Sequence, residues 1–462
     1  MRSRTNFVNS SQTRQWALEW LLQADLLKAR GRVCTAVVVW SVVLRAASRM
    51  VSIFAACQDL ADAPSSQAVF DALVIGLPKT LSVLERRLNE SLTGRMRRRS
   101  WQVAIDWHLV PYYGEPNKSR NELYHSRPHW GTTKFHAYAT ACIVEYGQRY
   151  TLALTWVRKH ESTITVLRRL LAQIREIELK IRHLLLDRAF FTTEVAEFLQ
   201  QEQLPFLMPV VLRGRKPKKG RPGTGLRHLQ RQKAGWYQHV LRRGKKEVTV
   251  SVCIAYRTYR RRGEKKRRTQ KLLFAAWRVK GAPTEIRERS RKRFGIEASY
   301  RQRRQARIYT CTRNPHLRLV FVALSLLLRN LWVWIHATYL KEGAGESMTL
   351  RLERLRFKRL ADWINQAVIA ELHDGSTSCV DDDDEGELGT TEIANQVRSR
   401  SWKENGPLHP PWAFGHDRGP ASPTGHRTSR PESHAGHGKP TLNRSPSMST
   451  SMPNRVILIA PR

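Results

Sequence analysis

The stretch HLLLDRAFFTTEVAEFLQQEQLPFLMPVV, residues 183–211, reads as strand, helix, strand. Its two ends are short apolar runs, and between them Val195, Phe198 and Leu199 recur at helical spacing. Upstream, STITVLRRLLAQIREIELK (162–180) has the same helical period. Before it come three runs of apolar and β-branched residues, WQVAIDWHLV (101–110), FHAYATACIVEY (135–146) and QRYTLALTWV (148–157), broken at Gly114 and Gly147. A meander of strands followed by helix, strand, helix, strand predicts a mixed α/β sheet covered by helices.

The next segment is of different composition. Residues 213–280 contain 24 Lys or Arg and only two acidic residues, Glu247 and Glu264. KKEVTVSVCIAY and KLLFAAWRV read as two strands within it, so 212–282 is expected to be a basic, β-rich insertion. A helix is expected from Pro283 to about Ile308, then an apolar segment at 317–340 and an amphipathic helix near 347–372.

Residues 1–98 read as a helical N-terminal region. It ends in two short helical patterns joined at 76–78, a spacing that suits either a DNA-binding helix-turn-helix or an ordinary helical hairpin. The boundaries read from sequence are therefore 1–98, 99–340, 341–373 and a tail, 374–462. The tail opens on CVDDDDEGELGTT, and 405–453 holds nine of the 21 prolines, a composition too poor in apolar surface to order itself.

Charge sets the partner class. Eighty Lys and Arg against 39 Asp and Glu give +41, with a pI near 10.9. Such an excess repels itself unless a polyanion neutralises it, so nucleic acid is the expected partner. Two apolar stretches, 33–47 and 317–335, are interrupted by Arg45, Arg318, Arg329 and Asn330. Neither supplies the ~20 uninterrupted apolar residues of a membrane span. The N-terminus lacks a signal-peptide pattern, which predicts a cytoplasmic, nucleoid-associated protein. The six cysteines are scattered without a CxxC pair, which supports neither a zinc site nor a disulfide framework.

Between residues 101 and 361 there are only two aspartates, Asp106 and Asp187, and each closes an apolar strand-like run. Either one alone reads better as a strand-end turn or helix-capping residue. Together, in a strongly basic domain, they predict a cation site, because bare carboxylates would repel a phosphate backbone. Two divalent ions ~3.5–4 Å apart on carboxylates can activate a nucleophile and stabilise a leaving oxyanion in phosphodiester chemistry. Mg²⁺, with Mn²⁺ able to substitute, suits oxygen-only ligands. Glu297, in RFGIEASYRQRRQAR (293–307), is the candidate third ligand. Its helical neighbours Arg293, Tyr300, Arg301 and Arg304 are candidates to grip phosphates.

AIDWHLVPYYG, LLLDRAFF and RFGIEASYRQRRQAR resemble the three carboxylate motifs of DDE transposases of bacterial insertion sequences, closest to the IS-four-like group. The likeness spans roughly residues 100–340. It implies an RNase H-like fold interrupted by the basic insertion, with Asp106, Asp187 and Glu297 as catalytic metal ligands. It further implies cleavage and strand transfer on double-stranded transposon ends and target DNA, by a homodimer when two ends are synapsed. In the group's glutamate signature Arg293 and Glu297 match, Arg304 replaces a lysine, and Ser290 stands at the tyrosine position; Arg188 matches after the second aspartate. Lys134, Arg188 and the insertion complete the expected DNA-binding set. A nucleic-acid-binding protein without catalysis, or a nuclease of the same fold that cleaves without joining, is the alternative.

Overall fold

The computed structural model describes residues 8–27, 34–90, 98–115, 122–145, 149–216, 218, 220–260, 263, 266–340, 350 and 352–372. The tail 374–462 and part of the segment read as helix near 347–372 lie outside these residues. All the described residues belong to one compact unit.

Nine strands form one mixed sheet: β1 (Ser100–Pro111), β2 (Tyr124–His129), β3 (Thr132–Ile143), β4 (Thr151–Val157), β5 (Lys180–Leu186), β6 (Phe206–Pro209), β7 (Gly235–Arg243), β8 (Lys246–Arg260) and β9 (Arg267–Trp277). The order is β2-β3-β1-β5-β6-β9-β8-β7, with β4 also paired to β3. β1·β5 and β5·β6 are parallel and the other ladders antiparallel. An antiparallel meander β1-β3-β4, then two parallel strands each preceded by a helix, is the RNase H-like arrangement. The crossover helices are α6 (Thr163–Glu176) and α7 (Thr193–Gln201). Each starts on a hydroxyl cap: Ser162 Oγ accepts from Thr165 N–H at 3.1 Å and Thr192 Oγ1 from Val195 N–H at 3.2 Å.

The basic insertion continues this sheet, because β9 pairs with β6 from Phe206↔Trp277 to Pro209↔Phe274. It contains a third strand, β7, beyond the two expected. GWYQHVLRR is polar enough to escape an apolar-run reading, but its register against β8 is continuous from Gly235↔Ile254 to Arg243↔Lys246. β2 escaped for the same reason.

Two helical layers cover the sheet. On one face α6 and α7 bury Val103, Ile105, Leu184, Leu186, Phe206 and Met208. The other face buries Ala104, Leu185, Leu207, Phe274 and Ala276 with Ile286 and Ile296. Those last two belong to α8 (Pro283–Lys292) and α9 (Phe294–Arg303). The single helix expected over 283–308 is thus two helices that break at Arg293.

The N-terminal helices α1 (Ser10–Gln23), α2 (Ala36–Arg49), α3 (Ile53–Gln58), α4 (Ser66–Gly76) and α5 (Leu81–Glu90) share a core with α10 (Pro315–Thr338) and α11 (Phe357–Leu372). α10 is long and apolar enough to cross a membrane by composition, yet 94% of its apolar window is buried inside the protein. Its polar groups have internal partners: Asn330 bonds both the N–H and the carbonyl of Thr151 at 2.9 Å, and Arg329 bonds Gln302 and the Arg149 carbonyl. The described cysteines, Cys34, Cys57, Cys142, Cys253 and Cys311, are all free thiols.

Candidate active site

Strand parity places the two aspartates. Val103 and Ile105 face the α6 layer, so Ala104 and Asp106 face the α9 layer; Leu184 and Leu186 against Leu185 and Asp187 repeat the pattern. The parallel ladder between β1 and β5 ends at Ile105↔Leu186. Asp106, still within β1, and Asp187, the first residue after β5, come next, where the parallel pair ends. Here the structure corrects the sequence reading of Asp106. It does not end its strand: β1 runs on to Pro111 because β3 pairs with it through Pro111↔Phe135, and only the partnership with β5 stops.

α9 brings the third carboxylate. Arg293 and Glu297 stand one turn apart, and both reach over the ends of β1 and β5. One guanidinium joins the set: Arg293 Nη1 donates to Asp106 Oδ2 at 3.3 Å, and Nη2 lies 3.3 Å from Asp187 Oδ1 and 3.4 Å from Glu297 Oε1. The Arg293 side chain is 8% exposed, against 14% for Asp106, 25% for Asp187 and 36% for Glu297. The acid cluster is therefore deepest at Asp106 and opens toward solvent at Glu297.

Burial pushes the Asp106 carboxyl up to about 7; the Arg293 guanidinium opposes that rise and the Asp187 carboxylate adds to it. Asp106 Oδ1 also accepts from Trp107 N–H at 2.8 Å, which fixes the orientation of the group. The three donors are carboxylate oxygens, the ligand type that hard divalent cations select. Among the described residues no group of three His, Cys, Asp or Glu side chains is placed to hold a metal ion as it stands. The triad is instead arranged around a cation the protein supplies.

The basic residues separate by burial. Arg188, Arg301 and Arg304 are exposed, Arg188 directly after Asp187 and Arg304 with its guanidinium 6.0 Å from the ring of Trp130. Arg303 faces inward and bonds Nε2 of buried His108. Of the arginines in 293–307, then, Arg293 and Arg303 belong to the interior. The signal was legible: Ile296, Ser299 and Arg303 share one helical stripe, and all are buried.

Tyr300 also points inward. Its hydroxyl lies 2.5 Å from Thr140 Oγ1 and 3.2 Å from the main-chain carbonyl of Asp106, and it ties α9 to β3 and β1 at the level of the triad. Thr140 is the residue opposite Asp106 in the β1·β3 register. Lys134 is on the α9 face of the sheet but level with Tyr112, whose N–H donates to its carbonyl at 3.0 Å. Six residues of strand, ~20 Å, separate that position from Asp106. The structure thus gathers Asp106, Asp187, Glu297 and Arg293, places Arg188, Arg301 and Arg304 on the surface near them, and leaves Lys134 apart.

Residues 97–331, just over half the chain and including all three carboxylates, match the family model of the transposase DDE domain. Among solved structures, the piggyBac transposase synaptic complex with hairpin DNA, seen by cryo-electron microscopy, is similar with a TM-score of 0.48 and 10% identity. That likeness covers 80% of this chain and 82% of that one. No curated protein matches the chain.

Proposed function

Because the chain belongs to the DDE transposase family, we propose that it is a DNA transposase of the IS-four-like group. It would cleave and join strands at the ends of its own insertion sequence with divalent metal ions. The observation that carries this reading is the convergence of Asp106, Asp187 and Glu297 on one buried cation, where the parallel β1·β5 pair ends.

In this reading Asp106, Asp187 and Glu297 hold Mg²⁺, with Mn²⁺ able to replace it. Such ions, when bound, activate the attacking water or 3′-hydroxyl and stabilise the leaving oxyanion. The residues around the triad prepare it. Burial disfavours charge on Asp106 until a cation compensates it, the Trp107 N–H orients it, and Tyr300 fixes α9, and with it Glu297, against β1.

Arg188, Arg301 and Arg304 would take phosphates on either side of the reacting one, with Lys134 and the basic insertion holding duplex farther out. The N-terminal helices α4 and α5 are the candidates for recognising the element's ends. Synapsis of two ends requires at least a homodimer. The working location is the cytoplasm, on the nucleoid.

The test is nicking of element-end DNA with Mg²⁺ by the full chain and by Asp187→Asn. The variant is expected to bind DNA normally and to lose cleavage by about a hundredfold or more, since a metal ligand supports several kcal/mol of transition-state stabilisation. Cleavage at the parent's rate would overturn the assignment.

A further inference from the structure

Arg293 occupies the position from which all three carboxylates can be reached at once. Each carboxylate offers it one oxygen, so the charge a metal ion would meet at the triad is already shared with a guanidinium. We propose that Arg293 is an internal counter-cation that competes with the divalent ion for the triad, so that the chain's own guanidinium sets how tightly the site takes a metal. The inference rests on the reading of the triad as a cation site.

Three features support competition over permanent bracing. The contacts are long: at 3.3–3.4 Å each exceeds the ~2.7–2.9 Å of a charge-assisted hydrogen bond, and no carboxylate is held by the parallel two-bond fork that makes arginine pairs strong. A guanidinium divided among three acceptors satisfies none of them fully and is easier to displace.

The second feature is the backbone. Arg293 closes α8 and opens α9: its N–H donates to the Ser290 carbonyl at 3.2 Å, and its carbonyl accepts from Ile296 N–H at 2.9 Å. Arg293 keeps a helical backbone here (φ −53°, ψ −37°), so its side chain can be re-aimed by a change of rotamer alone. The third is Phe294: its ring, 52% exposed, already lies 4.9 Å from the Arg293 guanidinium carbon, so one face of the guanidinium rests on a group that reaches solvent.

The experiment is Mn²⁺ binding to the full chain, followed by calorimetry and by the decrease of the free-ion electron paramagnetic resonance signal, for wild type, Arg293→Gln, Arg293→Lys and Asp187→Asn. An opposing charge beside a carboxylate shifts its cation affinity by about ten- to a thousandfold, so Arg293→Gln is expected to bind Mn²⁺ at least about tenfold more tightly than wild type. Arg293→Lys keeps one charge but cannot span three acceptors, and falls between them. In chelator Arg293→Gln melts below wild type, and Mn²⁺ raises its melting temperature by more.

Equal or weaker Mn²⁺ binding by both Arg293 variants overturns the proposal and makes Arg293 a fixed positioning residue. Binding no stronger in wild type and both Arg293 variants than in Asp187→Asn overturns the cation-site reading itself, and the inference with it. Should Arg293→Gln fail to fold, Arg293→Lys against wild type still decides the sign.

Discussion

Ile105 lies opposite Leu186 in the last parallel pair of β1 and β5, and the next residue in the chain after each is an aspartate. The two acids of the candidate site are therefore set by sheet register, at positions that a one-residue slip would turn to the opposite face. The third acid depends on α9, and α9 depends on a few contacts to these same strands. That dependence makes Tyr300 informative.

Tyr300→Phe removes one hydroxyl that engages Thr140 and the Asp106 carbonyl. We expect a loss of roughly 1–3 kcal/mol in stability, since buried partners are left unsatisfied. Turnover should fall with it, while the dissociation constant for DNA stays unchanged. If Tyr300 contacts a phosphate instead, DNA affinity falls and the melting temperature holds; thermal unfolding and DNA titration on the same variant separate the two.

Acid should destabilise the fold through two buried histidines. Burial lowers His136 to about 3, with Arg318 adding to the effect, and lowers His183 to about 4, with Arg289, Arg182 and Lys292 adding. Both are neutral in the folded chain and bind a proton near 6.5 once unfolded. Their contribution is therefore complete above about pH 6.5 and is lost as pH falls toward about 4 and then 3, on the order of a few kcal/mol. Asp106 has the opposite sign: raised from 3.8 to about 7, it costs stability as pH climbs through that interval. The clean measurement is the difference between wild type and His136→Gln in denaturant unfolding at about pH 7 and about pH 4.5; wild type should lose more over that interval than the variant.

DNA binding should weaken steeply with salt. Lys266 and Arg267 are exposed at the start of β9, within the basic insertion. If they neutralise phosphates, replacing both with alanine lowers the slope of log K against log salt by up to ~0.9 for each phosphate left with its counterion. An unchanged slope would place the DNA on another face of the sheet.

Much of the sheet was legible because short runs of apolar and β-branched residues announce strands whether or not their partners are known. β1, β3, β4, β5, β6, β8 and β9 all carry such runs. β2 and β7 carry polar residues on exposed edges, and their pairing is decided by the neighbouring strand. The two aspartates stood out by scarcity, and Glu297 by its isolation among bases.

The residue types of the site and the charge that points to nucleic acid are readable in the sequence alone; that Asp106 and Asp187 share one face rests on the β1·β5 register. Only the tertiary structure decided that α8 and α9 part at Arg293, that this arginine turns into the acids while Arg301 and Arg304 turn out, and that Tyr300 is an internal brace. The physical reason is that local periodicity assigns a side chain to a face. Which partner meets it there depends on where an arginine 187 residues beyond Asp106 comes to rest, and no local pattern encodes that placement.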